Sequence, residues 1–249
     1  MGAKCCYNNA ENSSKWTVKF DPSGVNRDKD AKPSPYHPTS NSLKDYSAWA
    51  DTTSNSRVSY SDVTERFTLG SNIEWILYTY PPSKVTGEEV MSRYPNSAMR
   101  EKETPLKRYF GQLDDLDRPH GWGHFFDSVD KVLWIGEFDK GVLNGPAQVY
   151  YDNGDYFEGE VLQGKLVHGR LYIPGGDMYE GPFQKDLPFS HTEGKILFRD
   201  GNKYLGGVRN GKMDGQGTIT FPNGHWKRCL FSDGEAIEIL MEGNNKNFR

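Results

Sequence analysis

Residues 204–224 read YLGGVRNGKMDGQGTITFPNG: an aromatic residue, spaced glycines, a short apolar run and an Asn-Gly pair. The opening triplet, an aromatic residue with glycine two places on, occurs five times, and Trp226-Lys227-Arg228 is a sixth copy without the glycine. The five triplets are Tyr109-Phe110-Gly111, Trp134-Ile135-Gly136, Phe157-Glu158-Gly159, Tyr179-Glu180-Gly181 and Tyr204-Leu205-Gly206. Successive copies are 25, 23, 22, 25 and 22 residues apart. A period of this length indicates a repeat array, whose units bury their apolar faces by stacking on one another.

Two sets of turn-forming pairs punctuate the repeats. One set contains Asn153-Gly154, Asp200-Gly201, Asn223-Gly224 and Asp233-Gly234, and the other contains Lys140-Gly141, Gln163-Gly164 and Asn210-Gly211. Asn-Gly and Asp-Gly pairs favour type I′ turns, because both central residues of such a turn need positive φ. The runs of about five to seven residues between these turns are typical of strands. We therefore expect a mainly β fold, an antiparallel meander of β-hairpins.

The recurring aromatic residues predict a spine for this array. A glycine leaves no side chain above its own backbone, so a bulky ring can lie across that position. The predicted glycine seats are Gly111, Gly136, Gly159, Gly181 and Gly206. The rings predicted to stack into one apolar ladder are Tyr109, Trp134, Phe157, Tyr179, Tyr204 and Trp226.

The pattern of an aromatic-x-Gly start, a glycine five residues later, Gly-x-Gly and a strand ending in Asp-Gly or Asn-Gly resembles the MORN (membrane occupation and recognition nexus) repeat. The resemblance covers residues 109–240, as five repeats and a partial sixth, and leaves 241–249 as a C-terminal tail. It implies a β-hairpin solenoid that serves as a binding surface. Among proteins with this repeat are components of ciliary axonemes and their radial-spoke heads.

The front of the chain differs in composition, since four of the 27 glycines lie in residues 1–100. Residues 1–56 are rich in Asn, Ser, Asp, Lys and Pro and show neither helical nor alternating periodicity. One interpretation is a disordered tail, because such a segment buries too little apolar surface to offset its ordering entropy. The other is an extended strap whose spaced aromatic residues bind a partner. Those residues are Trp16, Phe20, Tyr36, Tyr46 and Trp49.

Residues 57–108 are predicted to form a small α+β capping segment. The β-branched and aromatic run at 73–80 indicates a strand. Thr86, with Glu89 three residues later, fits the start of a short helix, and a further helical turn or two is predicted over 97–103. We expect the segment to cover the first edge of the repeat sheet, because an array needs an atypical end unit.

Charge and motif spacing favour a non-enzymatic protein that binds no nucleic acid. Residues 101–249 carry 18 Lys and Arg against 23 Asp and Glu, so the array has no basic stripe for a phosphate backbone. Residues 159–165 and 206–212 imitate a phosphate-binding loop, but Leu166 and Met213 stand where it needs Ser or Thr. The histidines do not form a helical metal-binding pair, since Gly121-Trp122-Gly123 separates His120 from His124. We predict no cofactor, metal or small-molecule substrate.

The amino terminus allows a lipid anchor. After removal of Met1, Gly2 could accept a myristoyl chain, and Cys5 and Cys6 could accept palmitoyl chains. One acyl chain binds membranes only marginally, whereas two anchor stably. The alternative is an unmodified tail, because Cys6 stands where the myristoylation pattern prefers Ser or Thr.

Two functions therefore remain open from the sequence. The first is a structural scaffold or adaptor in a cytoskeletal or ciliary assembly, with other proteins of that assembly as partners and a cytoplasmic, axonemal location. The second is an acylated adaptor that recruits partners to the cytoplasmic face of a membrane. An array with an acidic balance gives little electrostatic reason for direct contact with acidic lipids.

Overall fold

The computed structural model of the protein describes residues 66–97 and 99–244, which fall into two compact units, 66–164 and 165–244. The predicted tail at 1–56 lies outside the described residues, and so do residues 57–65, 98 and 245–249.

The first unit contains two helices followed by six strands. The helices are α1 (Ser71–Thr79) and α2 (Lys84–Arg93), and the strands are β1 (Met99–Glu103), β2 (Lys107–Leu113), β3 (Pro119–Asp127), β4 (Val132–Asp139), β5 (Val142–Tyr151) and β6 (Tyr156–Leu162). Each strand pairs antiparallel with the next one in the chain. The unit is therefore a meander, as the turn spacing predicts.

The second unit contains eight strands. They are β7 (Lys165–Tyr172), β8 (Met178–Gln184), β9 (Leu187–Pro188), β10 (Ser190–Leu197), β11 (Lys203–Arg209), β12 (Lys212–Thr220), β13 (His225–Ser232) and β14 (Glu235–Asn244). Pairing is again antiparallel between neighbours, with the two-residue β9 beside β8, and β10 pairing with β8 directly. The prediction of a mainly β, antiparallel hairpin array is confirmed.

One class of turn differs from the predicted type I′ geometry. At Gly154, Gly201 and Gly224 the glycine alone has positive φ (93°, 85° and 83°), and the Asn or Asp before it does not. The Asn or Asp side chain instead accepts a hydrogen bond from the amide two residues on, as in the 3.0 Å bond from His225 N to Asn223 Oδ1. These are type I turns closed by a left-handed glycine, and the preceding residue is selected for its acceptor oxygen.

The other class does have the type I′ geometry. Both central residues have positive φ at Lys140-Gly141, Gln163-Gly164, Asn210-Gly211 and Asp233-Gly234, so the last pair belongs here rather than with the first class. In each turn the glycine N–H also donates to a carbonyl of the preceding repeat. Examples are Gly141 N to Pro119 O at 2.7 Å and Gly234 N to Met213 O at 2.9 Å. This bond ties each hairpin tip to the hairpin before it.

Tyr204 shows how a ring and its glycines fit together. Its side chain is 2% exposed, and its hydroxyl donates a 2.7 Å hydrogen bond to the carbonyl of Gly207. A Cβ on Gly206 would lie 2.6 Å from that hydroxyl, and a Cβ on Gly217 would overlap the ring itself. The two glycines are direct neighbours across β11 and β12. The ring therefore occupies space that two glycines leave free.

Tyr109 and Tyr179 repeat this arrangement. Each hydroxyl donates to the carbonyl three residues later, Tyr109 to Gln112 at 2.8 Å and Tyr179 to Pro182 at 2.7 Å. Burial raises the pKa of all three tyrosines well above the usual value of a phenol, so the hydroxyls remain donors. Each ring also meets a phenylalanine edge-on at about 5.4 Å. The pairs are Tyr109 with Phe138, Tyr179 with Phe183 and Tyr204 with Phe231.

The two tryptophans depart from the predicted ladder. Trp134 lies on the same sheet face as Tyr109 and Phe157 but is only half-buried, and the atoms nearest a Cβ on Gly136 come from Pro146 and Ala147. Trp226 lies on the opposite face, because Lys227 occupies the position across from Ile219 that continues the row of Tyr204. A shift of one residue moves a strand side chain to the other face. The ladder therefore does not extend to Trp226.

The capping segment differs most from expectation. Residues 73–80 are mainly helical, in α1, rather than a strand, since Ile73, Ile76 and Leu77 bury one helical stripe. Helix α2 begins at Lys84, so Thr86 lies inside it, and the predicted helical turn at 97–103 is strand β1. The helices lie against β3, β4 and β5 and so cover a face of the sheet. Strand β1, rather than a helix, forms the first edge.

The contact between Tyr204 and Gly217 gives a stability prediction. Tyr204→Ala should lower the free energy of unfolding by ~3–5 kcal/mol, as large core truncations do. Gly217→Ala should also destabilise, because the new Cβ overlaps the ring. In Tyr204→Ala/Gly217→Ala the overlap disappears, so the double variant should be markedly more stable than the sum of the single effects predicts.

Urea unfolding of the four proteins measures this coupling. The matched control is Leu205→Ala, because Leu205 is adjacent to Tyr204 but 52% exposed, and its loss should change stability by no more than ~0.5 kcal/mol. Additive effects of the two single substitutions would contradict the seating of the ring over the glycine.

Candidate interaction surface

The second unit presents a continuous row of side chains on the face opposite Tyr204. We call this set the outer row. Cross-strand pairing places its seven members side by side on β7, β8, β10, β11, β12, β13 and β14: Arg170, Glu180, Lys195, Leu205, Thr218, Arg228 and Met241. None of the seven is buried. Because the ring face holds the core of each repeat, the outer row faces away from that core.

The charged end of the outer row is internally paired. Glu180 accepts hydrogen bonds from Lys195 Nζ at 2.7 Å and from Arg170 Nε at 3.2 Å. The bond from Lys195, with that from Arg170, holds the pKa of the Glu180 carboxyl below its usual range. Both cations are more than half exposed, so these ion pairs organise the surface more than they stabilise the fold.

The rest of the outer row mixes apolar and polar side chains. Leu205 is 52% exposed and Met241 is 57% exposed, and Thr218 and Arg228 lie between them. In the adjacent row Leu197 is exposed and Trp226 is half-buried. Exposed apolar side chains beside an arginine and an aromatic residue have the composition of a protein-binding patch.

The corresponding face of the first unit is already covered. Tyr80, just after α1, stacks on Tyr156 at a centroid distance of 4.7 Å, and its carbonyl accepts a 2.6 Å hydrogen bond from the Tyr150 hydroxyl. Phe67 packs against Phe126 at 6.0 Å. In this unit the capping segment occupies the face that the second unit leaves exposed.

Polar groups fix the covering segment in place. Gln112 is buried, donates to the carbonyls of Tyr94 (2.9 Å) and Ser97 (3.3 Å), and accepts the Trp122 amide. Glu137 is also buried, accepts the Tyr94 hydroxyl at 2.9 Å and pairs with Arg93 at 3.1 Å. Because these bonds are directional, they select one position of the segment on the sheet.

His124 lies beneath this cover with neither ring nitrogen hydrogen-bonded among the described residues. It is completely buried between the rings of Phe110 and Trp122, and the Arg66 guanidinium sits 3.7 Å above the Phe110 ring. Burial, with a smaller contribution from the charge of Arg66, lowers the pKa of His124 to about 3. The imidazole is therefore neutral at ordinary pH.

The structure separates the residues that the sequence singled out. The lipidation candidates Gly2, Cys5 and Cys6 and the tail aromatics Trp16, Phe20, Tyr36, Tyr46 and Trp49 lie outside the described residues. Residues 159–165 and 206–212 each form a strand that ends in a type I′ turn. His120 lies 3.3 Å from Asp139, whereas His124 is completely buried. Within the described ranges no group of His, Cys, Asp and Glu could hold a metal ion.

Sequence reasoning missed the outer row. The residue directly after the recurring aromatic lies on the face opposite the rings. It is apolar in the first two repeats, Phe110 and Ile135, and charged in the next two, Glu158 and Glu180. In the fifth repeat it is Leu205, which is apolar yet 52% exposed, so this position alone does not separate a covered face from an open one.

Comparison with known proteins supports the repeat assignment. The model of the MORN repeat family matches residues 134–156 and 204–226, which begin at Trp134 and Tyr204 and each span a strand pair. No curated protein matches the chain. One solved structure with a match is the G-box domain of the microcephaly protein CPAP, whose structural analysis suggests a role in centriole elongation. It is 12% identical, covers 61% of this chain and 100% of its own, and has a TM-score of 0.21, which does not establish a common fold.

Among the described residues, neither α1 nor α2 is long and apolar enough to cross a bilayer.

The burial of His124 gives a prediction of pH dependence. Its pKa is about 3 in the folded protein and about 6.5 in the unfolded chain, so between these values only the unfolded chain binds the proton. Stability should therefore fall as pH drops below about 6.5, and the slope contributed by this one group should approach about 1.4 kcal/mol per pH unit toward pH ~5. His124→Phe should remove that contribution.

Urea unfolding between pH 5 and 7 measures the slope above the range where most carboxyl groups titrate. The matched control is His191→Phe at an exposed position, which should keep the wild-type slope. If the free energy of unfolding depends on pH equally in wild type and His124→Phe, the pKa of His124 is not lowered in the folded protein, and the prediction is wrong.

Proposed function

We propose that this chain, which contains MORN repeats at residues 134–156 and 204–226, is a non-enzymatic scaffold that binds other proteins through its outer row. The family match supports an interaction scaffold in general terms. We propose more specifically that the protein is a component of a cytoskeletal assembly, and that this assembly is ciliary, axonemal or radial-spoke-like.

The contrast between the two units carries this proposal. In the first unit aromatic packing from Phe67 and Tyr80 covers the face opposite the rings. In the second unit the same face is open and combines paired charges with exposed Leu205 and Met241. A covered face stabilises the unit, whereas an open mixed face is suited to reversible or assembled contacts.

The amino-terminal segment is proposed as a second point of contact with partner proteins. Its aromatic residues Trp16, Phe20, Tyr36, Tyr46 and Trp49 are spaced along otherwise polar sequence. Aromatic residues are the commonest anchors in protein interfaces. A scaffold with an extended arm and a rigid sheet would join two neighbours in a filament-bound complex.

Retention in isolated axonemes tests the role of the outer row. Leu205→Glu places a charge at the centre of the row, and we expect at least a tenfold drop in the fraction that resists extraction with detergent and moderate salt. The folded state should survive, because Leu205 is 52% exposed. Quantitative immunoblotting of pellet and supernatant gives the result.

Leu162→Glu is the matched control, since Leu162 is 59% exposed and is not a member of the outer row. It should be retained like wild type. Complete release of the wild-type protein by detergent alone would contradict the cytoskeletal role, and full retention of Leu205→Glu would contradict the outer row as the binding surface.

A second candidate function rests on the spacing of Gly2, Cys5 and Cys6. Dual acylation at these residues would anchor the chain to the cytoplasmic face of a membrane, with the array recruiting partners there. The acyl chains would supply the membrane contact, because the repeat region has more acidic than basic residues.

Gly2→Ala separates the two functions. If the chain is acylated, the variant should lose myristoyl label and move from the membrane to the soluble fraction, as followed by an alkynyl fatty acid probe and fractionation. Ala3→Gly is the matched control, because it changes the neighbouring residue and keeps Gly2. Unchanged location of Gly2→Ala would rule out the membrane-tethered role and leave the scaffold role.

A further inference from the structure

Two edge strands, β1 and β14, differ in how well they are protected against pairing with another strand. Strand β1 is five residues long, and every residue after Met99 is charged, which discourages pairing with another strand. Strand β14 is ten residues long and pairs only with β13 within the described residues. It exposes Ile237 (54%), Leu240 (39%) and Met241 (57%). Two register shifts interrupt its pairing with β13. Its length and its exposed apolar residues nevertheless make it a template for one more strand.

The two faces of β14 differ in chemistry over residues 235–239. The register with β13 places Glu235 and Glu238 on the outer face and Ala236 and Ile239 on the ring face, whereas further along Met241 is on the outer face and Glu242 on the ring face. The strand contains three glutamates and no lysine or arginine. A strand complementary to residues 235–239 would therefore carry basic residues on one face and apolar residues on the other.

The chain contains such a sequence at residues 15–20, KWTVKF. Lys15, Thr17 and Lys19 alternate with three apolar residues, and alternation over six residues is the pattern of a strand with one apolar face. We propose that residues 15–20 pair with the free edge of β14 as an additional strand. The lysines then lie beside the outer-face glutamates, and the apolar residues lie beside Ala236 and Ile239.

This chain's own segment is favoured over a second copy of β14. Two copies of β14 would place acidic strands side by side, which is unfavourable for directly opposed like charges. The 45 residues between Phe20 and Arg66 can span up to ~150 Å when extended, and the entropic cost of closing so long a loop rises only slowly with its length. Linkage also gives the segment a high effective concentration at the edge.

The pairing divides the aromatic residues of the tail. Trp16 and Phe20 would serve the chain's own sheet, and Tyr36, Tyr46 and Trp49 would remain for a partner. The inference does not depend on the proposed scaffold role, because it concerns the sheet edge alone.

Amide hydrogen exchange on the full chain tests the pairing. In wild type, the amides of β14 that point away from β13 should exchange slowly. The variant Thr17→Pro/Val18→Pro removes N–H donors on both sides of the segment, so one loss must fall on the paired side. These β14 amides should then exchange at least tenfold faster, while the amides of β13 keep their protection.

The matched control is Asn41→Pro/Ser42→Pro, which alters the tail outside residues 15–20 and should leave β14 unchanged. Equal exchange of β14 in wild type and Thr17→Pro/Val18→Pro would overturn the proposal. Protection of β14 that rises with protein concentration would also overturn it, since a second copy would then be the occupant.

A disulfide between engineered cysteines tests which faces meet. In a background with Cys5→Ser and Cys6→Ser, Thr17→Cys with Glu238→Cys should form a bond within one chain under mild oxidation, because both positions face outward. Thr17→Cys with Glu101→Cys on β1 should not. Equal yields for the two pairs, or bonds only between chains, would contradict the assigned edge.

Discussion

The fit between a tyrosine ring and bare glycine backbone is the contact on which the repeats depend. Tyr204 is buried because Gly206 and Gly217 on neighbouring strands have no side chains to displace it. Its hydroxyl is satisfied by a backbone carbonyl, so burying the phenol leaves no polar group unpaired. The same bond recurs at Tyr109 and Tyr179. Each tyrosine ring and its glycines therefore depend on each other, because the ring needs the space above the glycines and fills it.

With the core placed on one face, the other face becomes the variable part of the molecule. The first unit covers it with helices and with the Tyr80–Tyr156 stack, and His124 is buried there without a hydrogen bond to any described residue. The second unit leaves it open, with Glu180 and Leu205 on either side of Lys195 in the outer row. One repeat pattern thus produces a stabilised end and a surface available for binding.

The sequence predicts the repeat far better than its capping segment. The spacing of rings and glycines predicts the meander, because each aromatic residue and the glycine two positions later lie on one strand and belong to one local contact. Strand propensity failed at residues 73–80, since β-branched and aromatic composition is a weak signal. Helical spacing of Ile73, Ile76 and Leu77 was the better guide. The outer row was missed because its members come from seven strands, so only cross-strand register brings them together. The burial of His124 carries no local sequence signal, because it depends on residues from other strands and from the capping segment.

The hydrogen bond from each type I′ glycine to the hairpin before it has a direction. At Gly141 and Gly234 the donor follows its acceptor by about one repeat along the chain, so the acceptor leaves the ribosome first. A newly made hairpin tip finds its docking site already synthesised and does not wait for later sequence. The array can therefore be completed one hairpin at a time during translation, in the order in which its hairpins are made.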